Sequence, residues 1–202
     1  MTIDTLRNSG AGISGVLKNT LVFDKIKECF ASAVRDEKNE RKHKGLLFIK
    51  SNREEAEEYI RKAKRNLELC HFYKEQGFEY KIPEEWFYTL YYCALAILCM
   101  FGVESRSQRC TAFLLRYLKC QKLIEYDNEF IDRIQVYKEK DTLSDVDARE
   151  KGRYSSIIHL KEVLLQYDEM MALCKRAIAQ CEEIMFSKED FKLPSELLEK
   201  IW

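Results

Sequence analysis

Apolar positions recur three and four residues apart along most of the chain, the period of a helix with one buried face. Val16, Leu17, Thr20, Phe23, Ile26, Cys29 with Phe30, and Ala33 trace such a stripe. They predict a helix from Val16 to about Lys44, stopped at Gly45. The segment LLFIK then leads to Ser51-Asn52, residues suited to a helix start, with Glu54 and Glu55 favouring its positive end. A second helix follows from about Arg53 to Gln76, its inward stripe being Ala56, Tyr59 with Ile60, Ala63, Leu67 and Cys70. Gly77 ends it, Pro83 starts a third helix and Gly102 closes that one. Ser105 or Ser107 opens a fourth to about Ile124, and Asp127 a fifth to about Lys140.

From Ser144 a helical pattern runs to about Phe186, interrupted at Gly152. Its stripe comprises Ile157 with Ile158, Val163 with Leu164, Tyr167, Met171, Cys174, Ile178 and Cys181. A short last helix is expected after Pro194. No stretch alternates with period two, and connections between helices are short, which makes neighbours antiparallel. The expected fold is all-α: an antiparallel up-and-down helical bundle with an extra N-terminal helix and a short C-terminal helix. The expected divisions are a flexible arm over 1–15, a helix and connector over 16–50 packing on the bundle, the bundle itself over 51–186, and a tail over 187–202.

Composition agrees with this reading. Only 7 glycines and 2 prolines occur in 202 residues, too few for sandwiches, barrels or glycine-loop nucleotide binders. The run WFYTLYYCALAILCMFGV, Trp86 to Val103, carries no charge in eighteen residues, close to the minimum for spanning a bilayer. Three tyrosines and Thr89 lie inside it and no basic flank borders it, so it reads as the all-round apolar centre of a bundle. No membrane association is expected. Lys+Arg and Asp+Glu balance at 34 each, which removes the case for a uniformly basic nucleic-acid binder. Of 8 cysteines most fall in apolar helical runs and none forms a CxxC pair. They read as reduced core thiols of a cytoplasmic protein. The N-terminus lacks the basic and apolar blocks of a signal peptide.

Conventional enzyme motifs are missing, and His43, His71 and His159 are too dispersed to suggest a local metal site. No metal and no cofactor are expected. RKHKG at Arg41 to Gly45 is a short basic cluster that the preceding RDEKNE neutralises. On the fourth helix Arg106, Arg109 and Arg116 fall within roughly 80° of each other, with Gln108 beside them. Arginine forks two bonds onto a phosphate or carboxylate, so these four residues are candidate ligand contacts. The segment DVDAREKGRYSSIIH, Asp145 to His159, packs Asp147, Arg149, Arg153, Tyr154 and His159 around Gly152. Asp147 is a further candidate ligand contact there. Arg153 and His159 are about 240° apart on an ideal helix, so they meet only across a bend or between two chains.

Several of these segments together resemble the HEPN superfamily, small helical nucleotide-binding bundles of prokaryotes and higher eukaryotes, in its uncharacterised single-domain prokaryotic branch. Arg53 to Gly77 and Glu85 to Cys110 look like that branch's paired second and third helices. Tyr91-Tyr92-Cys93-Ala94, then Gly102 and the polar turn from Glu104, match in order and spacing. KHKGL at Lys42 to Leu46 looks like its lead-in, and Arg149 with Tyr154 like its Arg-x4-Tyr element. The resemblance covers about residues 42 to 186. It implies a homodimer, and either a nucleotidyltransferase-like protein partner or a nucleotide or RNA phosphate as ligand. Ribonuclease members carry Arg followed after four to six residues by His, where Arg149 here meets Tyr154; Arg153 and His159 keep the spacing but are shifted. The expected function is therefore a non-enzymatic or catalytically degraded binding module. The alternatives are a toxin-like, metal-independent endoribonuclease using Arg153, His159, Arg149 and Tyr154, and a structural module docking through Arg106, Arg109 and Arg116.

Overall fold

A computed structural model describes residues 10–135, 160–187 and 190–201. Among them lie seven α-helices: α1 (Gly10–Lys38), α2 (Arg53–Glu75), α3 (Ile82–Met100), α4 (Gln108–Cys120), α5 (Asn128–Ile134), α6 (Leu160–Phe186) and α7 (Ser195–Ile201). A single 3-10 turn, Glu79–Lys81, precedes α3. The all-α reading therefore holds in class, with one addition. Leu46–Phe48 (β1) and Val103–Ser105 (β2) form a two-stranded antiparallel ribbon in which Leu47 faces Glu104.

The centre is α3, whose residues from Cys93 to Met100 are all buried. Helices α2, α4, α5 and α6 pack around it. This fits a sequence apolar on nearly every side, with Tyr88, Tyr91 and Tyr92 partly buried against the core. No helix among the described residues is long and apolar enough to cross a membrane. The inward stripe of α2 is Ala56, Ile60, Ala63, Leu67 and Cys70, as its spacing predicts. Asn52 caps its start, accepting the Glu55 N–H at 3.1 Å. From Lys161 onward the first buried position of α6 is Tyr167, whereas Leu164 is exposed.

Helix α1 covers Gly10–Lys38 rather than Val16 to Lys44. Its C-terminal end is turned by Glu40 at φ 54° and by the Arg41 N–H bonding back to Asp36 O at 2.9 Å. Gly45 lies beyond this end and serves a different purpose. A Cβ there would stand 2.1 Å from the carbonyl oxygen of Cys29, so only glycine lets β1 press against the α1 backbone.

Candidate functional site

After β2 the chain turns through Arg106 and Ser107 into α4. Ser107 is extended (φ −138°) and its hydroxyl accepts the Cys110 N–H at 3.3 Å, the usual N-cap arrangement. Thr111 ties the same turn, donating to the Ser107 carbonyl at 2.9 Å. The first turn of α4 holds no acidic residue, so the positive helix end is not neutralised from within the helix. Gln108 and Arg109 occupy its first two positions, Gln108 half-buried and Arg109 exposed.

Helix α1 runs antiparallel beside α4, as three contacts in opposite sequence order show. The rings of Phe23 and Tyr117 lie 6.1 Å apart, Lys25 Nζ stands 5.1 Å from the centre of Phe113, and Cys29 is disulfide-bonded to Cys110. The Arg109 guanidinium stands 5.4 Å from the same Phe113 ring. Two cations from two helices thus converge on one buried aromatic ring, each held by the ring's negative face. Among the described residues neither Lys25 nor Arg109 is ion-paired with a carboxylate. Burial, with Glu196 near it, pushes the Tyr117 phenol up, so this ring adds no negative charge to the cluster.

The bonded pair Cys29–Cys110 corrects the expectation that all eight cysteines are reduced. Both lie on inward faces, of α1 and α4 respectively, and the antiparallel crossing brings those faces together. The other six are free. Burial is the main force raising the Cys70, Cys93 and Cys99 thiols, Cys99 up to about 11, and they remain protonated.

Just outside the cluster sits a second charged group. Buried His43 bonds Glu104 through Nε2 at 3.2 Å, while its Nδ1 accepts the Gly45 N–H at 3.4 Å. With Nδ1 accepting, a ring proton sits on Nε2 and faces Glu104. Arg106 Nε donates to the same Glu104 oxygen at 2.6 Å. Burial would raise the Glu104 carboxyl, but the hydrogen bonds from Arg106 and His43 outweigh it and hold the pKa below the ordinary value. Arg106 is thereby committed to the ribbon. Arg116 is committed too, ion-paired with Asp132 of α5 as a strut between neighbouring helices. Of the three arginines that share a face in the sequence, Arg109 alone has no carboxylate partner among the described residues. Asp147, Arg149, Arg153, Tyr154 and His159 lie outside the described residues.

Other groups are chemically quieter. Exposed His71 bonds the Tyr167 hydroxyl through Nδ1 at 3.0 Å, and Lys74 lies 3.8 Å above that ring. Burial raises the Tyr167 phenol further from ionisation. A surface depression of about 530 Å³ is lined by Asn52, Glu54, Glu55, Glu57, Glu58 and Arg61. Its acidic rim repels anions. No group of three or more His, Cys, Asp or Glu among the described residues is placed to hold a metal.

Lys25 and Phe113 are the members of this cluster that sequence reasoning misses. One is a lysine in a charged helix and the other a core-spaced aromatic, and nothing local marks them as neighbours. No family model matches the chain, and no curated protein and no solved structure matches it either.

Proposed function

We propose that this protein is a non-enzymatic, HEPN-like binding module that takes a phosphate group of a nucleotide or RNA between Lys25 and Arg109, at the start of α4. The observation that carries this reading is the convergence of two cations without carboxylate partners beside a helix N-terminus free of acids. Phosphate suits that arrangement on three counts. Arginine offers it a planar fork, lysine a mobile point charge, and the helix end its unpaired N–H groups. Phe113 holds both cations in place before a ligand arrives, which lowers the ordering cost of binding. The non-enzymatic half rests on sequence: Arg149 is followed by Tyr154 where the resembled ribonucleases carry His. General acid–base chemistry works best with a group whose pKa lies near the working pH, and a phenol ordinarily titrates at about 10.

Binding of a nucleoside triphosphate and of a short single-stranded RNA tests this directly, in wild type, Lys25→Ala, Arg109→Ala and an Arg61→Ala control. Each of the first two variants should lose on the order of tenfold in affinity, the scale of one charged contact. Each should also flatten the salt dependence on RNA by about 0.7 in log–log slope. Unchanged affinity in both would overturn the site. Metal-independent RNA cleavage that disappears in Arg153→Ala and His159→Ala would overturn the non-enzymatic reading.

A further inference from the structure

We infer that the Cys29–Cys110 disulfide is a redox latch on this site, so that the oxidised protein binds phosphate more tightly than the reduced one. The inference rests on the phosphate-binding reading above and adds its regulation. Every part of the site lies within about one helical turn of the bond. Lys25 precedes Cys29 by four residues and so shares its face of α1, Arg109 adjoins Cys110, and Phe113 follows it by three.

What holds α1 differs on the two sides of the bond. Toward the C-terminus, Gly45 is wedged against the Cys29 carbonyl and against Ala33, and Gly45 O accepts the Arg106 N–H at 3.2 Å. Backbone contact of that kind fixes position closely. Toward the N-terminus, where Lys25 lies, Ile26 is buried and Phe23 meets Tyr117. Those contacts are apolar and non-directional; they keep the helix near α4 without setting its register. The disulfide is therefore the covalent tie nearest Lys25, with α1 packing on α4 and α7 besides. With it closed, Lys25 and Arg109 share one ring. With it open, α1 pivots about the Gly45 contact and the two cations lose their common position.

The chemistry needs a dithiol reductant. One of its thiolates attacks a sulfur of the bond, forming a mixed disulfide and releasing the other cysteine as a thiol. Its second thiolate then displaces the remaining cysteine. Two electrons and two protons pass to Cys29 and Cys110, and the reductant leaves as a cyclic disulfide.

Titration calorimetry with inorganic pyrophosphate and with a short single-stranded RNA, on oxidised and dithiol-reduced protein, tests the latch. Thiol counting by mass spectrometry defines each state, and far-ultraviolet circular dichroism checks that both are folded. Reduction should weaken binding about tenfold, the effect of losing one charged contact. Lys25→Ala should bind weakly in both states, because the contact that reduction releases is already gone. Cys29→Ser with Cys110→Ser should match reduced wild type and ignore the reductant, while Cys120→Ser keeps the full response. Equal affinity in the two states overturns the latch and leaves the phosphate site standing. Absence of binding in both states overturns both. A tenfold response that persists in Lys25→Ala, or loss of helix content on reduction, overturns the latch in favour of a structural staple. If the double serine variant does not fold, the comparison within wild type decides.

Discussion

In the interior, α3 packs against α2 and α6, and Leu90, Ile97, Ala63, Cys174 and Ala177 on these helices are all fully buried. On the flank, α1 meets α4 and the ribbon through a disulfide, a glycine wedged on backbone, a histidine–glutamate–arginine chain and two cations over a ring. The interior is held by area removed from water, which tolerates exchange of one apolar residue for another. The flank is held by directional contacts, of which the disulfide can be reduced and Glu104 protonated. The proposed binding and regulation lie where a bond can be reduced or a carboxylate protonated, which packed aliphatic area does not offer.

The largest expected effect tests the interior. Leu90→Ala should cost about 2–5 kcal/mol, a large share of a domain's stability. Denaturant unfolding should give the same loss with and without reductant, since distant sites add. A loss that shrinks on reduction would show the two regions to be one cooperative unit. Next comes the covalent tie itself, which closes a sequence separation of 81. Replacing both Cys29 and Cys110 by serine should cost about 2–4 kcal/mol, and reductant should bring wild type to the same denaturant midpoint.

The smallest effects come from two carboxylates that respond to pH in opposite directions. Burial at the start of α3, aided by Glu84 and opposed by Lys81, raises Glu85 from 4.5 to about 6. The folded state then keeps a proton that the unfolded chain has lost, so stability falls as pH rises between those values. Glu104 is held below 4.5 by its Arg106 and His43 hydrogen bonds. Its contribution is complete above 4.5 and is lost as pH falls through the lower folded value. Glu85→Gln should therefore raise the melting temperature at neutral pH, by about 1–3 °C, with no gain in acid. Glu104→Gln should make the acid limb shallower. Matching pH profiles for the two variants would remove this distinction between interior and flank.

The interior was legible in the sequence because burial leaves a periodic trace. The stripe from Ala56 to Cys70, the uncharged run from Trp86 and the cap at Asn52 each report local geometry directly. The ribbon was not legible: LLF and VES are three residues each, too short to show alternation, and they pair across two intervening helices. The candidate site was half legible. Gln108 and Arg109 announce themselves at a helix start behind Ser107, whereas Lys25 is separated from Phe113 by most of three helices and joins them only through the crossing of α1 on α4. The pairing of Cys29 with Cys110 is of the same kind, since eight cysteines in helical runs carry no sign of which two will face each other.

The apolar envelope of α3 also has a consequence during synthesis. Helix α2 precedes it and can cover one side at once, but α6 begins about 60 residues after α3 ends. At ribosomal rates of about 5–20 residues per second, that face waits several seconds for its own cover. A nascent chain at this stage presents a stretch without charge to whatever surrounds the ribosome. Folding yield in a cell should then depend on elongation speed and on holdase chaperones, and far less so when the full-length chain refolds in dilute solution.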